Sequence, residues 1–211
     1  MSDSARKFTR GVPGDRRADL VSAALSLMAD AGPGAATVRA IAEMAGLSPG
    51  MIRHHFRSKE ELLNAAYLAH MSRQTEDSAR TLGTGNAASR LAQFVSASLT
   101  PPVVDARAVS LWAAFLHMVR RDAGMRKTHE ATYLAYRDRL QGLIAKALAE
   151  AGRTTAPDDL RRLAIACNAV IDGLWLEGGV LPEAFAAGEV ERIGLSAVGA
   201  LIGLDLDGDQ P

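Results

Sequence analysis

The chain has 211 residues, 48% of them hydrophobic and 23% charged, which is the balance of a globular protein able to bury a core of its own. Its 24 Lys/Arg cancel its 24 Asp/Glu overall, and its one cysteine, Cys167, excludes an internal disulfide and a cysteine-held metal cluster, as expected of a buried thiol in a reducing cytoplasm. No apolar stretch opens the chain as a signal peptide would, and no run of about 18 uncharged apolar residues is present, so no membrane association is expected.

Residues 1–14 mix Ser, Gly, Pro and charge without periodicity and read as a flexible arm. Asp15 then opens a helix in which Leu20, Ala24, Leu27, Met28 and Ala31 recur at three- and four-residue steps, until Gly32-Pro33-Gly34 stops it. Thr37 is placed to cap a second helix with Ile41 and Ala45 inward, and Gly46 closes that helix in a left-handed turn. Ser48 can cap a third, with Pro49 in its first turn and Phe56 as an inward anchor at its end. Ser58-Lys59-Glu60-Glu61 has the form of a capping box; the helix it opens turns Leu62, Leu63, Ala66 and Tyr67 inward and runs toward residue 80.

Gly83-Thr84-Gly85-Asn86 breaks that helix, and further helices fit 87–99, 106–121, 127–151, 158–178 and 190–204, with a bend at Gly124-Met125. In the second of these Leu111, Trp112, Phe115, Leu116 and Val119 share a side. No stretch alternates as a strand would. The expected fold is all-α: a flexible arm (1–14), a three-helix head (15–60), a larger helical body (61–204) and a frayed acidic tail (205–211). Arm and head together, residues 1–60, carry nine Lys/Arg and six Asp/Glu and the remainder 15 and 18, a basic end on an acidic body.

Residues 37–56 read as a short helix, a Gly turn and a second short helix, the layout that sets one helix in the DNA major groove. Ile52 and Phe56, four apart, hold the second helix inward, and Pro49, Met51, Arg53 and His54 project the other way. Arg53 can bond O6 and N7 of guanine together, or a phosphate. His54 and His55 can reach phosphates or base edges, and Thr37 and Ser48 can offer hydroxyls or helix-end N–H groups to phosphate. Val38, Arg39 and Gly50 complete this surface, and Lys59, just beyond, can clamp a phosphate. Adjacent histidines point about 100° apart on a helix, so no zinc site is expected at His54-His55. A competing reading is a helical adaptor whose Arg53-His54-His55 face meets an acidic protein. An enzyme is not expected: no phosphate loop, nucleophile elbow or zinc-protease motif is present, and no cofactor is implied.

The run Thr37-Val38-x-x-Ile41-Ala42-x-x-Ala45-Gly46-Leu47-Ser48-x-Gly50-x-Ile52-x-His54-His55-Phe56-x-Ser58-Lys59-Glu60-x-Leu62-Leu63 resembles the N-terminal signature of the TetR family of bacterial repressors. The body, through Trp112-x-x-Phe115 and Ile171-Asp172-Gly173-Leu174-Trp175-Leu176, is similar to the branch of choline-responsive, BetI-like repressors of glycine-betaine synthesis. Where that family commonly carries Tyr, this chain has Arg53, so a phosphate contact is expected to survive, while base preference is free to change and the family's operator is not assumed. The resemblance implies a homodimeric, ligand-responsive repressor on a palindromic DNA operator. Its subunits would join through the helices at 158–178 and 190–204, with one stripe of Leu163, Ala166, Ala169, Val170 and Leu174 and another of Ile193, Ala197, Ala200 and Leu201. A dimer is expected on DNA grounds too, because one short recognition helix specifies few bases.

Trp112, Phe115, His117, Met118, Tyr133, Tyr136 and Trp175 are candidates to line an effector cavity. A quaternary ammonium would suit such an aromatic cage, with Asp172 or Glu177 beside it. Asp172 can equally make a structural hydrogen bond to a neighbouring helix, and the effector and the direction of its effect stay open.

Overall fold

The structure, a computed structural model, describes residues 15–80 and 83–207; the expected arm at 1–14 and the last residues, 208–211, lie outside them. Among the described residues the chain is helical with no strand: α1 Arg16–Ala31, α2 Val38–Met44, α3 Pro49–His55, α4 Lys59–Arg80, α5 Ala87–Ser98, α6 Ala106–Val119, α7 Ala123–Glu150, α8 Pro157–Val180 and α9 Glu189–Ile202, with a short 3-10 turn at Pro182–Ala184.

Local chemistry sets most helix ends. The Asp15 carboxylate accepts from the N–H groups of Arg17 and Ala18, both at 3.1 Å, and Thr37 Oγ1 from that of Ala40 at 3.2 Å, each satisfying donors that a first helical turn leaves orphaned. Asn86, Asp105 and Asp122 do the same for α5, α6 and α7. Gly46 closes α2 at φ +66°, a backbone that L side chains rarely adopt. Ser48 stands at the N-cap of α3 but makes no side-chain capping bond; its carbonyl accepts from Met51 N–H instead, leaving the hydroxyl unspent. The box at Ser58 forms with a shift: Glu61 N–H donates to Ser58 Oγ, while the Glu61 carboxylate reaches Arg57 N–H at 2.8 Å rather than that of Ser58.

Two apolar cores result. The first joins α1, α2 and α3 to the first half of α4 through Leu20, Ile41, Ile52, Phe56, Leu62 and Tyr67, and takes in Leu111, Phe115 and Val119 of α6 and Met125 of α7. The head's core therefore continues past the expected division at residue 60. The second core lies among α5, α6, α7, α8 and α9, with Trp112 touching both. Cys167 is fully buried in the second, where desolvation pushes its thiol up to about 11.

Several sequence expectations need correction. Ala31 is exposed, and Ala23 fills the inward position on α1. The bend expected at Gly124-Met125 falls earlier, at 120–122, because Asp122 caps α7 with a bond to Met125 N–H at 2.6 Å and so places Gly124 inside the helix. The chain after α9 is not frayed through 207: Leu206 packs into the body core, and Arg153 Nη1 donates to the closing carbonyls of Ile202 and Gly203 at 2.5 and 3.1 Å. α8 is long and apolar enough by composition to cross a bilayer, although Asp172 and Glu177 interrupt it, so no uncharged run of 18 apolar residues is present. One side of it packs on α6, α7 and α9, and its polar Asn168 and Asp172 are hydrogen-bonded.

Candidate nucleic-acid interface and effector cavity

Helix α3 is seated by two buried residues, Ile52 and Phe56, each 2% exposed. Removing such a side chain from a packed core costs about 2–5 kcal/mol, so the seating is firmly held. Arg17 reinforces it from α1, with its guanidinium 4.7 Å from the Phe56 ring centroid, a contact not anticipated from sequence. With that face committed, Arg53 and His54 stand exposed on the opposite side, joined by Ser48, Pro49 and Gly50. Thr37, Val38 and Arg39, at the start of α2, are exposed as well. Met51 and Lys59 are half-buried. His55 departs from the expected outward face: it is half-buried, its Nε2 is shut off from solvent without a partner, and its ring meets that of His54 edge-on at 5.0 Å.

The body holds a cavity of about 410 Å³ among α4, α5, α6, α7 and α8. Five of the sequence candidates line it: Trp112, Tyr133, Tyr136, Asp172 and Trp175. The other three do not. Phe115 is fully buried in the head core, Met118 packs against that core, and His117 is exposed. On α6 these three fall beyond Trp112, on the stretch that reaches the head rather than the cavity. Glu177 is exposed and also outside the lining. The wall supplied by α4, through Met71, Gln74, Thr75 and Ser78, was not anticipated, although its three- and four-residue spacing continues that of Tyr67.

Hydrogen bonds fix the cavity's polar groups. Tyr133 donates its hydroxyl to Asp172 Oδ2, and Asn168 Nδ2 donates to the same oxygen at 2.8 Å, so Asp172 does make the structural bond between helices. Burial pushes the Asp172 carboxyl above its ordinary range, opposed by those two donors. The Tyr133 hydroxyl is raised to about 12, by burial first and then by Asp172. Tyr136 donates to Ser98 Oγ at 2.8 Å, and Trp175 Nε1 to the Val103 carbonyl at 2.8 Å. No group of His, Cys, Asp and Glu among the described residues could hold a metal ion.

Apolar side chains of α8 and α9 are left uncovered: Ile193, Ala200 and Leu201 are exposed on α9, as is Ala169 on α8, and Leu176 of α8 is exposed at the cavity wall. Of the two expected stripes, Leu163 and Leu174 pack instead on the chain's own core.

Comparison with known proteins decides what kind of molecule carries these sites. Residues 20–66 match the family described as bacterial regulatory proteins, tetR family, and residues 87–203 match the BetI-type transcriptional repressor C-terminal domain. The chain belongs to the TetR family, with a BetI-type C-terminal domain. This regulator is 30% identical over 168 residues to the HTH-type transcriptional regulator BetI of Burkholderia ambifaria (strain MC40-6), covering 78% of this chain and 82% of that one. It is 28% identical over 181 residues to BetI of Pseudomonas aeruginosa (strain LESB58), covering 84% and 88%. The crystal structure of a protein from Pseudomonas aeruginosa PAO1, described as a transcriptional regulator, superposes with a TM-score of 0.81 at 31% identity, over 95% of this chain and 97% of that one. A regulator from Saccharomonospora viridis, solved in complex with choline, shares the fold at a TM-score of 0.69 and 21% identity, over 89% and 95%. The molecule is thus a transcriptional regulator of a DNA-binding, helix-turn-helix family and not an enzyme.

Proposed function

We propose that this regulator is a cytoplasmic homodimeric repressor that reads a palindromic operator through α2 and α3 and loses its grip when a small molecule enters the body cavity. Arg53 and His54 face the groove from α3. Thr37, Val38, Arg39, Ser48, Pro49, Gly50, Met51 and Lys59 hold phosphates and register around them, and His55 serves mainly to set the end of α3. Two subunits join through the uncovered faces of α8 and α9, which places the two recognition helices about one DNA turn, ~34–36 Å, apart.

The observation that carries this reading is the double duty of α4. Its first half, Leu62 to Tyr67, is buried in the head core, and its second half, Met71 to Ser78, is a wall of the cavity. A ligand that displaces the wall displaces one rigid rod whose other end is packed into the DNA-binding head. The spacing of the two heads changes, and only one spacing fits adjacent major grooves. The test is selection of bound fragments from the host genome, followed by fluorescence anisotropy of the recovered duplex at several salt concentrations. A palindromic fragment bound with sequence preference by two copies of the chain supports the reading; salt-dependent binding without preference overturns it.

A further inference from the structure

The aromatic rings at the cavity pair with one another. Trp112 and Trp175 meet edge to face at 5.6 Å, His129 lies over Tyr133 at 5.5 Å, and Phe94 leans on Tyr136 at 5.1 Å, so each pair spends ring surface on itself. The specific chemistry lies in unused hydrogen-bonding atoms. Both donors to Asp172 land on Oδ2, and among the described residues none donates to Oδ1. One turn earlier on α8, Asn168 is 2% exposed and its Oδ1 is buried without a donor. Asn168 lies behind the wall, whereas Asp172 lines the cavity, so its Oδ1 is the acceptor within a ligand's reach. On the α4 wall, Gln74 Nε2 is a buried donor without an acceptor. No Lys or Arg lines the cavity; Arg137, whose charge Tyr133 feels, is not among the lining residues.

We propose that the cavity takes a protonated primary or secondary amine on an apolar body carrying an oxygen acceptor, with the ammonium donating an N–H bond to Asp172 Oδ1 and the oxygen accepting from Gln74. A quaternary ammonium has no N–H to give and leaves that oxygen unpaired. The ligand is also larger than a small cation. The cavity's 410 Å³ falls in the range of about 300–1,000 Å³ usual for organic ligands, and much of its remaining wall, such as Met71, Val103 and Ile171, is apolar. Because the ammonium is removed from water, its bonds to the carboxylate are charge-assisted and dominate selectivity. This inference rests on the reading of the cavity as the effector site.

The chain's two tryptophans both line the cavity, so intrinsic fluorescence of the full-length protein reports its occupancy. Three probes share one body with an ether oxygen: phenoxybutylamine, its N,N,N-trimethyl derivative and the matching alcohol. The amine is expected to change tryptophan emission in a saturable way, with the trimethyl derivative and the alcohol each binding at least about tenfold more weakly. Asp172→Asn is expected to weaken the amine by about tenfold or more and to narrow its margin over the alcohol. Equal or tighter binding of the trimethyl derivative overturns the N–H requirement while leaving the cavity as an effector site. Equal binding of the alcohol overturns the role of charge, and undiminished binding to Asp172→Asn overturns the anchor. Silence from all three probes overturns both this inference and the effector reading beneath it. The comparison among probes uses the unaltered protein, so it stands whether or not the variant folds.

Discussion

The Tyr67 hydroxyl and His129 Nδ1 lie 2.5 Å apart and share a hydrogen bond that ties α4 to α7 where the head core meets the body. The Tyr67 ring packs on Phe115 at 4.6 Å, inside the head core, while the His129 ring stacks on Tyr133, whose hydroxyl donates to Asp172. An unbroken series of contacts therefore joins the cavity's carboxylate to the residue beneath the DNA-binding head.

Tyr67→Phe tests this link. The ring stays on Phe115 and only the hydroxyl is lost, which leaves the His129 nitrogen without its partner at a cost of about 1–2 kcal/mol in urea unfolding. Operator affinity without ligand should stay close to that of the parent protein, whereas the fall in affinity on adding ligand should shrink. An unchanged ligand response, measured by anisotropy, would place the coupling elsewhere.

His70 predicts how stability depends on pH. Burial, helped by the charge of Arg73, depresses its imidazole from 6.5 to about 4, and its Nε2 is buried without a partner. In the unfolded chain the group takes its proton near 6.5, in the folded chain only near 4. Unfolding therefore takes up a proton between those values, and stability present above pH 6.5 falls as pH drops toward 4, by at most about 1.4 kcal/mol per unit. His129, lowered chiefly by burial, adds in the same direction. His70→Leu should flatten the slope between pH 7 and 5 and raise stability at pH 5; urea titrations at both values check it, and a slope equal to the parent's would remove His70 as its source.

At the head, Arg53→Ala should cost about 1–3 kcal/mol of operator affinity and relax preference at one position of each half-site. Lys59→Ala should weaken all duplexes by similar factors and reduce the salt slope by about one unit. A Lys59 variant that altered base preference instead would assign it to the bases.

Ile193→Glu combined with Leu201→Glu places charges on the uncovered face of α9. Both positions are exposed in the single chain, at 42% and 41%, so folding should be little affected. Sedimentation should report a particle near 22.3 kDa that no longer binds the palindrome tightly. A dimer that persisted would place the subunit interface on another surface.

Helix positions and the head were legible in the sequence because their signals are local. Asp15, Thr37, Gly46 and Pro49 act within one turn of themselves, and Ile52 and Phe56 announce the buried face of α3 by their spacing alone. The cavity was only half legible. Trp112, Tyr133, Tyr136, Asp172 and Trp175 could be picked out by residue type, but Phe115, His117 and Met118 share that chemistry and lie one or two turns along the same helix, where α6 has already left the cavity for the head. Which turn of a helix faces a void depends on where its partners end, and that information is nonlocal. His55 failed for a related reason: its neighbour His54 is exposed, yet a step of about 100° around the helix turns His55 against the head.

Cys167 has a practical bearing on all of these motions. The chain's sole thiol is sealed inside the body. A reporter cysteine introduced on the exposed surface of the head, at Arg39 for instance, would be the only position open to a thiol-directed spin label in the native protein. Pairs of such labels in an assembled dimer would then measure by electron resonance how far apart the two reading heads stand, with and without a bound amine, against an unlabelled background that needs no prior cysteine removal.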